Sequence, residues 1–217
     1  MSARKRTAIL ISGRGSNLQA LIDAAKDSAY PAEIALVLSN VADAAGLERA
    51  GHAGIATKTI SHRGYASRES FDAEIDKALN ERGIELICLA GFMRVLSDDF
   101  VRNWQGRLIN IHPSLLPAFK GLHVHRQALE AGVRISGCTV HFVVPELDSG
   151  AIIAQAAVPI LMTDDEAALA ARTLEVEHRL YPLALGLLAG GHVKLKNGRA
   201  VFTGVPANTG ALFTPFS

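Results

Sequence analysis

Apolar and amphipathic segments alternate along the chain. Short apolar runs rich in β-branched residues, such as residues 85–91, are typical of buried strands. Segments whose apolar residues recur every three or four positions, such as 67–82, are typical of helices that pack on a sheet. The repeated strand–helix–strand order predicts an α/β fold with a mostly parallel, doubly wound, Rossmann-like sheet and right-handed crossovers. The predicted strands are 7–12, 33–38, 56–61, 85–91, 108–112, 137–144 and 152–160.

Two predicted helices carry capping signals at their first residues. Ser16 stands where a helical pattern follows the first strand, and its side chain is a suitable N-cap. Thr163-Asp-Asp-Glu166 has the spacing of a capping box and precedes the longest apolar-periodic segment. These signals predict Ser16 and Thr163 as the N-caps of the two helices.

The strand predicted at 108–112 ends in two polar residues on one face. Side chains alternate along a strand, so Asn110 and His112 point to the same side while the intervening isoleucines point to the other. Pro113 then ends the strand because it cannot donate to a ladder. Open α/β sheets bind ligands at the carboxyl ends of their strands, which makes this amide and imidazole candidate functional groups. The alternative is a strand end whose two polar residues have no role in function.

Two glycines separate the first predicted strand from the first predicted helix. Gly13 and Gly15 would let the backbone approach a ligand closely, and a helix start favours an anion. The dinucleotide-binding pattern would need a small residue where Leu18 stands and an acidic residue after the second strand, which instead ends in Ser39-Asn40. The Lys-Ser/Thr pair of an ATP-binding loop is also missing. The sequence therefore favours a monophosphate over NAD or ATP, with a ligand-free tight turn as the alternative.

The composition fits one domain over residues 1–217. Of these residues 49% are apolar, and the formal net charge of +1 without any block of like charge argues against a nucleic-acid partner. The apolar runs are too short for a membrane span or a signal peptide, so we expect a cytoplasmic protein without a membrane partner. Cys88 and Cys138 lie in apolar runs and are interpreted as reduced packing residues, with a disulfide between them left open. Alternation around Asn197-Gly198 predicts a C-terminal β-hairpin.

Histidines near the predicted strand end raise the question of a metal. His112, His123 and His125 lie within one short stretch, but a zinc site needs three or four convergent ligands. No HExxH pattern or cysteine cluster supports one, so we expect no metal. Thr139 and His141 share one face of the strand predicted at 137–144, where a supporting or core role is expected for both.

Four stretches of the chain together resemble the folate-dependent formyltransferases, and most specifically those that formylate glycinamide ribonucleotide. The stretches are Gly13-Arg-Gly-Ser-Asn-Leu-Gln, Ala90-Gly-Phe-Met-Arg-Val-Leu, Asn110-Ile-His-Pro-Ser-Leu-Leu-Pro and Glu146-Leu-Asp-Ser-Gly. The third stretch with its downstream aspartate is shared by several branches of the family. The glycine-containing loop distinguishes the ribonucleotide branch, because it matches that branch's phosphate site.

The resemblance implies a set of site residues. It makes Asn110, His112 and Asp148 the catalytic trio. It assigns the ribonucleotide to Gly15, Ser16, Asn17 and Glu177. It assigns the folate to Arg68, Met93, Arg94, Val95, Leu96, Asn110, Val144, Pro145, Glu146, Leu147 and Asp148. Pro145 has no backbone N–H, so a folate contact there must use other groups.

The resemblance also implies the reaction and the layout of the chain. The expected reaction moves the formyl group of 10-formyltetrahydrofolate directly to the amino group of glycinamide ribonucleotide in purine biosynthesis, through a tetrahedral intermediate. The expected layout is a phosphate-binding half over about 1–100, a catalytic and folate-binding half over about 101–190, and a hairpin with a tail over about 191–217. We expect a monomer or a homodimer. The alternatives are a related enzyme whose acceptor is water or another amine, and a binding module without activity.

Overall fold

The computed structural model describes residues 3–205, and a mixed seven-stranded sheet forms the centre of this part of the chain. The strands are β1 (Lys5–Ile11), β2 (Ala32–Ser39), β3 (Thr57–Thr59), β4 (Leu86–Leu89), β5 (Leu108–His112), β6 (Ile135–Phe142) and β7 (Ile152–Pro159). Their spatial order is β3-β2-β1-β4-β5-β6-β7. The predicted α/β fold is therefore confirmed.

The first five strands are parallel, and the last two are not. β6 runs antiparallel to β5, and β7 runs antiparallel to β6. In this register His112 faces Thr139 and Asn110 faces His141 across the β5–β6 pair. The polar residues of the two strands are thus neighbours on one face of the sheet.

Helices cover both faces of the sheet. They are α1 (Ser16–Ala25), α2 (Ala45–His52), α3 (Arg68–Glu81), α4 (Asp98–Asn103), α5 (Val124–Glu130) and α6 (Glu166–Ala189). α1 and α6 pack on one face, where Ile109 and Ile111 point, and α3 and α4 pack on the other, where Leu108 points. The buried Tyr181 of α6 places its hydroxyl 2.9 Å from the carbonyl oxygen of Leu89 and 3.2 Å from that of Ile109. This contact fixes α6 against the centre of the sheet.

Both predicted N-caps are wrong, by one residue in α1 and by two residues in α6. α1 has Gly15 as its N-cap in a left-handed conformation, so Ser16 is already the first helical residue. α6 has Asp165 as its N-cap, and its side chain accepts a hydrogen bond from Ala168 N–H. Thr163 does not take this place because Asp164 holds the preceding turn through a two-pronged ion pair with Arg172 at 2.6 and 2.8 Å.

The C-terminal hairpin is present as predicted. It pairs β8 (Val193–Lys196) with β9 (Arg199–Phe202), and Asn197 and Gly198 both have positive φ angles, as a two-residue primed turn requires. The predicted tail from residue 206 onward lies outside the described residues. Among the described residues, no helix has the length and apolar character needed to span a bilayer.

The two cysteines are unpaired and buried, as predicted. Burial raises the pKa of the Cys88 thiol and that of the Cys138 thiol to about 12 each. Both groups therefore stay neutral thiols at physiological pH and act as packing residues.

Candidate active site

The loop between β1 and α1 forms a backbone cradle with an open helix start. Gly15 adopts φ +71°, and a Cβ built there would lie 2.8 Å from the Cα of Gly46 in α2. Gly46 N–H donates to the carbonyl oxygen of Gly13 at 3.1 Å, and the Arg49 guanidinium donates to the carbonyl oxygen of Arg14 at 3.0 Å. Within residues 3–205 no side chain caps the start of α1. Its first N–H groups can therefore bind an anion.

Glu177 lies beside this loop although it comes from the far end of the chain. The Asn17 side-chain amide donates to Glu177 Oε2 at 2.6 Å, which joins α1 to α6. Burial raises the pKa of the Glu177 carboxyl, and the hydrogen bond from Asn17 partly offsets this rise. The Asn17 Oδ1 atom is buried and has no hydrogen-bond partner among the described residues. Two polar groups predicted to hold the ribonucleotide thus lie together with unused hydrogen-bonding capacity.

Asn110 is held by a neutral histidine. Its side-chain amide lies 3.3 Å from His141 Nε2, and His141 Nδ1 lies 2.9 Å from the carbonyl oxygen of Phe142. Since a carbonyl oxygen only accepts, Nδ1 carries the proton and Nε2 accepts from Asn110. Burial lowers the pKa of His141, against smaller opposing effects of the Phe142 carbonyl and Asp148, which suits this neutral form. The arrangement fixes the Asn110 amide with its second N–H available.

His112 and Asp148 meet although they are 36 positions apart in the sequence. Asp148 Oδ2 lies 3.4 Å from His112 Nδ1 and accepts a hydrogen bond from Gly121 N–H at 2.8 Å. His112 Nε2 donates to the carbonyl oxygen of Phe119 at 2.9 Å. Both ring nitrogens therefore face oxygen acceptors, and both side chains are buried. Asp148 Oδ1 also lies 3.8 Å from His141 Nε2, so one carboxylate adjoins both imidazoles.

The loops around His112 contain unusual backbone conformations. Phe119, His123 and Asp148 have positive φ angles between 48° and 57°, a region that non-glycine residues rarely adopt. Such positions persist where the surrounding structure over-determines them, and they concentrate at functional sites.

Thr139 anchors the chain that follows His112. Its hydroxyl donates to the carbonyl oxygen of Ser114 at 2.7 Å and accepts from Leu116 N–H at 3.0 Å. The Gln155 side chain, from β7, reaches both Thr139 Oγ1 and the carbonyl oxygen of Leu116. Thr139 is fully buried and therefore positions the loop over His112.

A comparison with protein families agrees with this geometry. A family model described as formyl transferase matches residues 5–185. This chain belongs to the formyl transferase family. Among members of this family, it is 48% identical over 196 residues to phosphoribosylglycinamide formyltransferase of Escherichia coli strain K12, a match that covers 90% of this chain and 92% of that protein.

Two further relatives are similar to this chain over most of its length. It is 61% identical over 193 residues to the trifunctional purine biosynthetic protein adenosine-3 of Drosophila pseudoobscura pseudoobscura, covering 88% of this chain and 14% of that protein. The crystal structure of glycinamide ribonucleotide transformylase 1 from Symbiobacterium toebii superposes with a TM-score of 0.90 at 45% identity, over 93% of this chain and 95% of that one. The chain spans between 14% and 20% of the length of the trifunctional relatives.

The residues that the family resemblance assigns to folate differ in how exposed they are. Arg68 and Arg94 line a cavity of about 220 Å³ together with His62 and Tyr65. Met93 and Val95 are 65% and 61% exposed, whereas Leu96 is buried in the core between the sheet and α3 and α4. Pro145, Glu146 and Leu147 form the exposed tip of the loop that carries Asp148, and Val144 is partly buried at its start. The Leu96 side chain thus packs in the core, and its assignment to folate stays a prediction.

Several residues that support these loops were not predicted from the sequence. Gly46 and Arg49 hold the loop between β1 and α1 from behind, and Gln155 supports the loop over His112. A glycine inside a helix was the one available signal for Gly46, because such a glycine often marks a close backbone approach. No group of histidine, cysteine, aspartate and glutamate side chains in residues 3–205 is arranged to hold a metal ion.

Proposed function

We propose that this chain transfers the formyl group of 10-formyltetrahydrofolate to the amino group of glycinamide ribonucleotide in purine biosynthesis. The observation that carries the proposal is the cluster of Asn110, His112 and Asp148 at the carboxyl end of β5. In the sheet, β4 lies between β5 and β1, the strand that leads to the open helix start. The 48% identity to an E. coli protein named phosphoribosylglycinamide formyltransferase, over 92% of its length, supports the same acceptor.

In the proposed reaction, the amine nitrogen of the ribonucleotide attacks the formyl carbon and the carbonyl oxygen becomes an oxyanion. The free N–H of Asn110 donates to this oxyanion, a contribution of about 3 kcal/mol per donor in a water-excluded site. The bond from the formyl carbon to the folate nitrogen then breaks. The proton lost by the attacking amine reaches the leaving nitrogen with the help of Asp148, directly or through water.

His112 must change one partner during this cycle. In the structure its Nε2–H is bound to the carbonyl oxygen of Phe119, so it does not yet face a substrate. We infer that this N–H exchanges the Phe119 carbonyl for the developing oxyanion, while Asp148 stays beside Nδ1 and stabilises the positive charge on the ring. The proposed transfer is direct and needs no covalent intermediate on the chain.

The ribonucleotide is proposed to bind with its phosphate on the N–H groups of Gly15, Ser16 and Asn17. Glu177 would accept hydrogen bonds from the donor groups of the same molecule. Residues 1–217 would act as one formyltransferase domain, located in the cytoplasm. The state of assembly remains the prediction made from the sequence, a monomer or a homodimer, and analytical ultracentrifugation would measure it.

A spectrophotometric assay tests the function directly. The chain is incubated with 10-formyltetrahydrofolate in the presence and in the absence of glycinamide ribonucleotide, and the deformylated folate is followed. We expect turnover that requires the ribonucleotide, and we expect the His112→Asn variant to fold normally and lose this turnover. Equal turnover without the ribonucleotide would show a hydrolase instead. Binding of both molecules without turnover would reduce the chain to a binding module.

A further inference from the structure

Ser12, the first residue after β1, joins three loops through one side chain and one backbone group. Its Oγ accepts a hydrogen bond from Met93 N–H at 2.8 Å and donates to Asn40 Oδ1 at 2.5 Å. Its own N–H donates to the carbonyl oxygen of Gly91 at 3.0 Å. The loops after β1, β2 and β4 therefore meet at a single hydroxyl.

Asn40 extends this network toward the cavity lined by the two arginines. It is 5% exposed and follows β2 directly. Because its Oδ1 accepts from Ser12, its amide nitrogen faces the other way and lies 3.3 Å from His62 Nδ1. His62 lines the cavity of about 220 Å³ that Arg68 and Arg94 also line. The hydrogen bonds run in one direction along the chain of groups, an arrangement in which each polarises the next.

Under the proposed function, this network joins groups that are assigned to different substrates. Ser12 directly precedes Gly13, the first residue of the loop assigned to the ribonucleotide phosphate, whereas Met93 and the His62 cavity belong to the side assigned to folate. Among the described residues, the Ser12 hydroxyl bonds to Met93 N–H and Asn40 Oδ1, which lie in two other loops.

We propose that Ser12 and Asn40 are positioning residues that hold the ribonucleotide loop and the folate loop at a fixed distance from each other. This inference rests on the proposed function. A hydroxyl is required at position 12 because it must accept from one loop and donate to another at the same time. Alanine can do neither. Loss of the Ser12 hydroxyl would leave Met93 N–H and Asn40 Oδ1 without this partner.

Ser39 provides a matched control. It adjoins Asn40 and is fully buried. Among the described residues, its hydroxyl bonds only within its own turn, to the carbonyl oxygen of Val41 at 2.8 Å and to Val41 N–H at 3.0 Å. Ser39→Ala therefore removes a buried serine hydroxyl from the same region without touching either substrate loop.

The first test measures KM for each substrate and kcat in wild type, Ser12→Ala, Asn40→Ala, the double variant and Ser39→Ala. We expect Ser12→Ala to raise both KM values by about tenfold, the effect of losing one well-placed hydrogen bond. Asn40→Ala should raise them in the same direction, and the double variant should add little to Ser12→Ala, because both remove one network. Ser39→Ala should leave both KM values within about twofold of wild type even if its melting temperature falls.

The second test does not depend on activity. Amide hydrogen exchange of residues 91–95 should be faster in Ser12→Ala than in wild type and unchanged in Ser39→Ala, because the Met93 N–H loses its acceptor in the first variant alone. A change in one KM only, a fall in kcat with both KM values unchanged, or unaltered exchange at residues 91–95 would each overturn the proposal. Wild type without formyl transfer would instead refute the proposed function, and the exchange measurement would then decide whether Ser12 holds the two loops together.

Discussion

The close approach of Gly15 to Gly46 gives a prediction with a calculable size. Gly15→Ala places a methyl group at φ +71°, and this methyl would lie 2.8 Å from the Cα of Gly46. The left-handed conformation costs alanine about 1 to 2 kcal/mol. The backbone must also shift to relieve so short a contact, and overpacking of this kind costs about 1 to 2 kcal/mol more. We therefore expect a loss of about 2 to 4 kcal/mol in the free energy of unfolding, or roughly 4 to 16 °C in melting temperature for a chain of this length.

Gly13→Ala is the matched control for this experiment. A Cβ at position 13 would have no heavy atom within 4 Å, and its φ angle is not in the left-handed region. We expect this variant to unfold within about 0.5 kcal/mol of wild type, because alanine fits such a position without strain. Thermal unfolding followed by circular dichroism measures both variants. Equal melting temperatures for the two variants would refute the argument that the loop is packed against α2 through Gly15. The KM for the ribonucleotide should rise in Gly15→Ala as well, since α1 must shift away from α2.

Three further predictions concern the two substrate sites and their support. Asn110→Ala should lower kcat by about 10² to 10³-fold with little change in either KM, because the lost donor acts on the oxyanion. Steady-state kinetics measure this, and a rise in KM with kcat unchanged would contradict it. Burial raises the pKa of Glu177 above its ordinary 4.5, so the folded chain holds this proton more tightly than the unfolded chain, and stability falls as the pH rises through the folded-state pKa. Glu177→Gln should therefore match wild type in urea unfolding near pH 4 and exceed it near about pH 8, while it weakens ribonucleotide binding; equal stability at both pH values would contradict this. Thr139→Val should cost about 2 to 4 kcal/mol, since it leaves buried backbone groups of the loop over His112 unpaired. Thr173→Val should cost nothing, because the Thr173 hydroxyl is buried without a partner among the described residues, and similar costs for the two variants would disprove the reasoning.

The sequence predicts the parts of this fold that depend on local patterns. The strand at 108–112 has its predicted bounds, because an apolar run, a period of two and a proline mark it independently. The turn at Asn197-Gly198 is equally well marked, since few residue pairs adopt two positive φ angles. Local pattern does not fix strand direction, however, and the antiparallel course of β6 and β7 came from the structure.

Helix caps and long-range contacts limit what the sequence can predict. Ser16 and Thr163 are good capping residues, but the chain enters α1 through the left-handed Gly15, and the ion pair of Asp164 with Arg172 moves the start of α6 to residue 166. The prediction of a catalytic trio came from a resemblance, since nothing local to Asp148 points to His112. The hydrogen bonds of Ser12 depend on how three loops meet, and no spacing in the sequence encodes that meeting.

Gly150 determines how the carboxylate of Asp148 reaches its place. A Cβ at this position would lie 1.7 Å from the carbonyl oxygen of Phe142, so the returning chain passes that oxygen with room for a hydrogen atom alone. This close main-chain contact, two residues after Asp148, holds the segment that carries Asp148 in place. Because the contact is between backbone atoms, repacking of side chains cannot relieve it. The tip at residues 145–147 is exposed, and its Glu146 carboxylate lies 3.9 Å from Lys120 Nζ. Under the proposed function, we expect that exchanging residues 145–147 alters donor preference, whereas a larger residue at Gly150 displaces the Asp148 carboxylate.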